Sequence, residues 1–384
     1  MKYRRVGVIG GGQLAWMMAE AAPTLGIELL VQTPHQDDPA VSRVTDFILA
    51  PIDDAIATSK LATRCDVITF ENEFIDLEAL QTLAQQGVCF RPSLSCLLPL
   101  LDKYDQRSYL QQIGLPVPKF TALSSETDIL TNYDFPVVLK ARRHGYDGQG
   151  TFILQDRQAL TEVLNRVPVS TLMAEEFVPF EKELGIIAAR NQSGEIAIYP
   201  VVETYQKNQV CHWTIAPAKI TQEVETEIKA IARTLLEKLQ VVGVFGIELF
   251  LTADNRVLVN EIAPRTHNSG HYTLNGCHTS QFEMQLRAVT DLPLGSPTLK
   301  TAGAVMVNLL GYEESNSDYR AKRDRLAAIP NAYVHWYEKT SRPGRKLGHV
   351  TVLLDSKERE PAISAIAKIE SIWYGGPHSF KSPA

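Results

Sequence analysis

Residues 244–262 read VFGIELFLTADNRVLVNEI, and the fold turns on this stretch. Residues 244–251 and 256–262 are runs rich in β-branched and aromatic side chains on either side of a polar Thr252, Ala253, Asp254, Asn255, the pattern of a β-hairpin. If Asp254 and Asn255 form a two-residue turn, the ladder running back from it sets Glu248 directly opposite Glu261. Like charges facing each other across a ladder destabilise it. The flanking IELF and LVNEIA are apolar, which speaks against a merely solvated acidic face. Magnesium ions bridging nucleotide phosphates would turn the repulsion into a binding site, since hard divalent cations favour carboxylate oxygens.

Upstream, residues 140–150 read KARRHGYDGQG. Lys140 ends an apolar run, 136–141, where its ammonium can meet phosphate oxygens, and the glycine-rich hairpin after it can close over a nucleotide with backbone N–H groups. The GxxxxGK[ST] order of a P-loop is absent. A surface hairpin with an exposed lysine is the plainer alternative. Glu175, Glu176, Phe177 and Val178 form an extended segment able to offer backbone groups to an adenine edge, and Glu183 a carboxylate for ribose hydroxyls. Downstream, Arg265, His267, Asn268 and His271 lie in APRTHNSGH, and Lys339, Arg342, Arg345 and Lys346 surround RPGRK. Arginine beside a metal–phosphate site steadies developing phosphoryl charge, and a basic turn in an acidic chain suits a phosphate monoester.

The first ninety or so residues alternate strand and helix as a parallel sheet does. Strands are expected at 3–9, 27–32, 66–70 and 88–90, with helices at 13–25 and 77–86. The triplet Gly10, Gly11, Gly12 before a helix allows close approach of a phosphate to free N–H groups, a purely structural turn, or a dinucleotide fingerprint with Ala15 in the last glycine position. Strands are also expected at 136–141, 151–154, 184–190 and 195–201, with helices at 101–113, 158–165 and 223–238. Short strands at 304–309, 332–337 and 349–353 precede a helix at 361–369.

The 384 residues suffice for three domains, expected at 1–100, 101–296 and 297–384. A formal charge of -6 argues against nucleic acid as a partner. The five cysteines contain no CxxC pair, so neither a disulfide framework nor a zinc site is expected. No segment has the length and apolarity of a membrane span or a signal core, and the expected location is the cytoplasm.

Together these features resemble the ATP-grasp superfamily, an α/β class. The runs GGGQL, TFENE, GYDGQG, NEIAPRTHNSGH, SQFEMQLRAVTDLPLG and RPGRKLGHV occur in the order found in its 5-(carboxyamino)imidazole ribonucleotide synthases. The resemblance implies a Rossmann-like N-terminal domain, a two-part ATP grasp, a small β-rich C-terminal domain and a homodimer. It implies carboxylation of 5-aminoimidazole ribonucleotide with ATP and bicarbonate through carboxyphosphate, in purine biosynthesis. Lys103, Lys140, the loop Gly145, Tyr146, Asp147, Gly148, Gln149, Gly150 and Thr151, then Glu175, Glu176, Phe177, Val178, Glu183, Gln206, Asn260 and Glu261 would contact ATP. Glu248 and Glu261 would hold Mg²⁺. Gln13, Leu14, Glu73, Asn268, Lys339, Arg345 and Lys346 would meet the ribonucleotide, so that the glycine triplet serves substrate. Lys140, Arg265, His267 and Asn268 would act in catalysis. Ala15 and Trp16 depart from the usual Gly-Arg, Gln206 from a frequent histidine and Lys103 from a frequent arginine. A sister ligase, such as a formate-dependent glycinamide ribonucleotide transformylase, is the alternative on the same scaffold.

Overall fold

Short apolar runs separated by helices build the first layer. In the computed structural model, which describes residues 4–143 and 150–375, strands β1 (Arg5–Ile9), β2 (Glu28–Thr33), β3 (Asp46–Leu49) and β4 (Val67–Phe70) form a parallel sheet in the order β3-β2-β1-β4. The expected strand at 88–90 reduces to a single parallel bridge, Ile68 to Phe90. The helix Gln13–Ala21 covers one face, and Leu14, Met17 and Met18 share a core with Phe282, Leu286 and Val289 of the helix Gln281–Val289. That second helix, on SQFEMQLRAV, ties the first layer to the rest of the molecule.

The middle of the chain makes a second, four-stranded antiparallel sheet from β5 (Phe120–Ala122), β6 (Val137–Ala141), β7 (Thr151–Leu154) and β8 (Leu172–Glu176), ordered β5-β8-β6-β7. The third sheet has nine strands: β9 (Phe180–Arg190), β10 (Ile196–Ile198), β11 (Val202–Lys207), β12 (Val210–Ala216), β13 (Gly243–Thr252), β14 (Val257–Ala263), β15 (Gly303–Leu310), β16 (Ala332–Trp336) and β17 (Lys346–Leu354). Its order is β14-β13-β9-β11-β12-β15-β17-β16, with β10 beside β9. It runs without a break past residue 297, because β12 pairs with β15. The helix Gln222–Leu239 buries Val224, Ile228, Ile231 and Leu235 against β9, β13 and β14, at the i, i+4, i+7 spacing of an amphipathic helix. The helix Arg359–Tyr374 packs Ile366, Ile369 and Trp373 on β15 and β17. Among the described residues no helix is long and apolar enough to cross a membrane.

The hairpin that opened the sequence reading forms, with a correction. Three residues, Ala253, Asp254 and Asn255, turn between Thr252 and Arg256, and Asn255 takes φ 61°. That register alone would miss the Glu248–Glu261 pairing by one residue. A bulge restores it: Leu249 pairs with Val259 but Glu248 with Glu261, leaving Asn260 as the extra residue of β14.

Candidate active site

The bulge builds the floor of the site. Asn260 gives its main-chain carbonyl to the Arg107 guanidinium, while its side chain accepts from Lys140 Nζ at 3.0 Å and donates to Glu248 Oε2 at 3.4 Å. Its polar groups are thus used by charged neighbours rather than by a partner strand. Lys103 Nζ meets Glu261 Oε2 at 2.7 Å. Glu248 also faces His267, Nε2 to Oε1 3.5 Å. The recessed setting of Glu248, and then the charge of Glu261, push its carboxyl up to about 7; burial would also raise Glu261, but Lys103, Lys140 and Arg107 together hold it below its usual range.

Lys140 is anchored from beneath. Lys140 Nζ lies 2.7 Å and Arg107 Nε 2.5 Å from opposite oxygens of Glu175, and all three side chains are buried. Burial alone would raise the Glu175 carboxyl, but the two cations hold it at about 2. Burial pulls Lys140 below the usual lysine range, and Glu175 resists this. Arg107, on the helix Lys103–Gln112, has no place in the sequence reading, since its partner lies 68 residues away and no local spacing signals it. The Glu175 side chain faces this ion triad and Glu176 N donates to Lys119 O at 2.9 Å, which leaves the half-exposed Phe177 and the buried Val178 as the part of the segment able to line a nucleotide. Gly150 O accepts from Ala141 N at 2.6 Å, and Thr151 O from Gln209 Nε2 at 3.2 Å. Gly145, Tyr146, Asp147, Gly148 and Gln149 lie outside the described residues.

Glu183, on β9, receives the main-chain N–H of Gln206 and is pushed up to about 8, first by burial and then by Glu248. Glu183 and Gln206 therefore flank the carboxylate pair on neighbouring strands of the large sheet.

The glycine triplet serves a different end from the one expected. Glu71, at the close of β4, accepts from Gly12 N at 2.6 Å, Leu14 N at 2.9 Å and Ala15 N at 3.4 Å, filling the N-terminus of the helix Gln13–Ala21 with the protein's own carboxylate. A Cβ on Gly10, whose φ is +113°, or on Gly12 would collide with that carboxyl. No phosphate is needed to explain the loop, and Leu14 is spent on this contact and on the core. Burial pushes the Glu71 carboxyl up against the pull of these N–H groups and of Lys339.

Gln13 and Lys339 do come together, Nζ to Oε1 3.0 Å, across 326 residues of sequence. Burial brings Lys339 down to about 8. Arg345 donates to Thr340 O at 3.0 Å and faces the carboxylates of Asp37 and Asp38. Lys346 lies near enough to Lys339 and Glu248 to bear on the charge of both. Arg265 pairs with Glu73 at 3.1 Å, His267 Nδ1 bonds Ser269 Oγ at 2.9 Å, and Asn268 exchanges hydrogen bonds with Asn308. Buried His271 instead contacts Gln281, 3.3 Å from Nδ1, within the core.

Lys140 from the four-stranded antiparallel sheet and Lys103 from the helix Lys103–Gln112, converging on a carboxylate pair of the nine-stranded sheet, define an ATP-grasp ligase. Family models match in register: a ribonucleotide synthetase preATP-grasp domain over residues 3–97, an ATP-grasp domain over 108–282, and a phosphoribosylaminoimidazole carboxylase C-terminal domain over 304–360. The N5-carboxyaminoimidazole ribonucleotide synthase of Synechococcus elongatus is 55% identical, over 96% of this chain and 95% of its own. The crystal structure of N5-carboxyaminoimidazole ribonucleotide synthetase from Thermotoga maritima superposes with a TM-score of 0.86 at 38% identity, covering 96% of this chain and 98% of that one. The Aspergillus clavatus N5-carboxyaminoimidazole synthase, solved with ADP and 5-aminoimidazole ribonucleotide, gives a TM-score of 0.89 at 31% identity, with 97% and 99% coverage. The chain belongs to the N5-carboxyaminoimidazole ribonucleotide synthase family.

Proposed function

We propose that this site uses ATP to activate bicarbonate and passes the carboxyl group to the amine of 5-aminoimidazole ribonucleotide, a step of purine biosynthesis. The observation that supports this reading most is the bulged Glu248–Glu261 pair with Lys103 and Lys140 converging on it. The residues fit a magnesium ion: two facing carboxylates, one of them pushed up to about 7, and the Asn260 amide supply hard oxygen donors where like charges otherwise meet. Bound by Glu248 and Glu261, magnesium would neutralise phosphate oxygens during transfer.

Lys140, set by Glu175 and Asn260, holds the triphosphate, and Phe177 and Val178 with Glu183 take the adenosine. A bicarbonate oxygen attacks the γ-phosphorus as the bond to ADP breaks, giving carboxyphosphate. The ribonucleotide amine then attacks the carboxyl carbon, phosphate leaves, and the amine gives up a proton. Gln13, Lys339, Arg345 and Lys346 hold the ribonucleotide, with its phosphate on the basic turn. Arg265 steadies the phosphoryl group after exchanging Glu73 for it, while His267 and Asn268 meet the carboxyl group. The working form is a homodimer in the cytoplasm. Ribonucleotide-stimulated ADP release that requires bicarbonate, and that formate does not replace, tests the reaction, and light scattering tests the assembly.

A further inference from the structure

Asn268 does not set its own orientation. Asn308, on β15 and 1% exposed, places its side-chain nitrogen 2.9 Å from the main-chain oxygen of Cys211 on β12. A carbonyl only accepts, so the Asn308 atom facing it is the NH2 group. The same nitrogen lies 2.8 Å from Asn268, whose facing atom is therefore the oxygen, and the Asn268 nitrogen donates to Asn308 Oδ1 at 3.0 Å. Both N–H groups of Asn308 are consumed. Turning Asn308 over would set its oxygen against the Cys211 oxygen, and turning Asn268 alone would set nitrogen against nitrogen and oxygen against oxygen. A backbone carbonyl of the large sheet thus dictates, through one relay, which way the Asn268 amide points. Among the described residues the second N–H of Asn268 has no protein partner.

The backbone around Asn268 is fixed separately. His267 Nδ1 bonds Ser269 Oγ, and Gln281 brackets His267 through both its N–H and its carbonyl, at 2.9 and 2.7 Å. What remains to be set is the amide orientation, and Asn308 sets it. We infer that Asn308 is a positioning residue: it holds Asn268 so that a single N–H donor of fixed direction is offered to the carboxyl group in transfer. The inference rests on the reading above that Asn268 meets substrate. An amide free to turn over would also present its carbonyl to the carboxylate, a repulsive contact, and the activated carboxyl group would be lost to water.

The test compares Asn308→Leu, Asn268→Ala and the double variant in the full-length enzyme. It reads kcat, the KM for each substrate, and ADP released per ribonucleotide carboxylated. Asn308→Leu is expected to lower ribonucleotide-dependent turnover by about tenfold and to raise ADP per product, with the KM for ATP unchanged. Asn268→Ala should do the same, and the double variant should be no worse than the poorer single one. If Asn308→Leu does not fold, the smaller polar Asn308→Ser takes its place in the same comparison. Wild-type kinetics and ratio in the Asn308 variant beside an impaired Asn268→Ala overturn the inference alone, as do losses that multiply in the double variant. A fully active Asn268→Ala removes the substrate contact itself and overturns both.

Discussion

Glu248 stands opposite Glu261 because Asn260 bulges out of the ladder, so that the pairing passes from Leu249–Val259 straight to Glu248–Glu261. The inserted residue supplies a carbonyl to Arg107, an acceptor to Lys140 and a donor to Glu248, so the device that aligns the carboxylates also joins them to the lysine. Removing Asn260 would flatten the bulge and leave Glu261 still opposite Glu248, but it would take away the acceptors and donor that the bulge offers Arg107, Lys140 and Glu248. The Asn260 deletion should therefore lose ADP release, and so should Glu248→Gln. The two differ in stability: the deletion strips buried Arg107 and Lys140 of an acceptor and should lower the melting temperature, whereas Glu248→Gln relieves like-charge repulsion and should melt no lower than wild type in metal-free buffer. Differential scanning calorimetry beside the ADP assay checks both.

Arg107→Met tests the support beneath Lys140. Truncating one partner of a buried ion cluster costs about 3–5 kcal/mol, because the remaining charge loses its compensation. The Arg107 and Glu175 side chains are each 3% exposed, so little solvent screening reduces that figure. The denaturation midpoint should fall accordingly. ADP release should fall with it in conditions where the variant is folded, since Glu175 would draw closer to Lys140.

Glu71→Ala should destabilise the first layer by about 1–2 kcal/mol, the range for losing a helix N-terminal cap. The KM for the ribonucleotide should rise more than that for ATP, because Gln13 begins the helix that Glu71 holds and contacts Lys339. Chemical denaturation and steady-state kinetics with each substrate varied separate the two effects.

A pH dependence follows from three packed histidines. The rings of His335 and His349 stack at 4.5 Å, His271 lies 5.2 Å from His349, and the Tyr337 hydroxyl bonds His349 Nδ1 at 2.6 Å. Burial brings His335 down to about 4, and burial with neighbouring imidazoles holds His271 and His349 well below the ordinary histidine range. A histidine with a depressed folded pKa contributes stability that is present above the unfolded value of 6.5 and is lost as pH falls through the folded value. Melting temperature should therefore decline from pH 6.5 towards pH 4. His335→Gln, which can still pair with Asn275, should flatten part of that slope.

Much of the fold was legible because it is written in local periodicity: strands β1, β2 and β4, the amphipathic helix Gln222–Leu239 and the apolar strands β6, β7 and β13 stand close to their expected bounds, whereas β3 and the helix Ala55–Ala62 were missed. Strands β11 and β12 were missed because VETYQK and VCHWTIA interleave polar residues, among them Glu203, whose partner Arg359 lies on the last helix. In the site, the carboxylate pair was reachable from spacing, although the turn assumed for it was not the one formed. Arg107, Glu71 and Asn308 were not reachable. Each acts on a partner 40 to 68 residues away, a relation that only the packed sheets create. The glycine triplet left its role open for a physical reason: the N-terminus of a helix accepts any anion, and the sequence does not reveal that Glu71 sits there.

The central claim is tested most directly by ADP release from the purified protein with Mg-ATP and bicarbonate, measured with and without 5-aminoimidazole ribonucleotide. Strong stimulation by the ribonucleotide is expected, lost when formate replaces bicarbonate and lost in Glu248→Gln. ADP release that ignores the ribonucleotide, or that continues undiminished in Glu248→Gln, would contradict it.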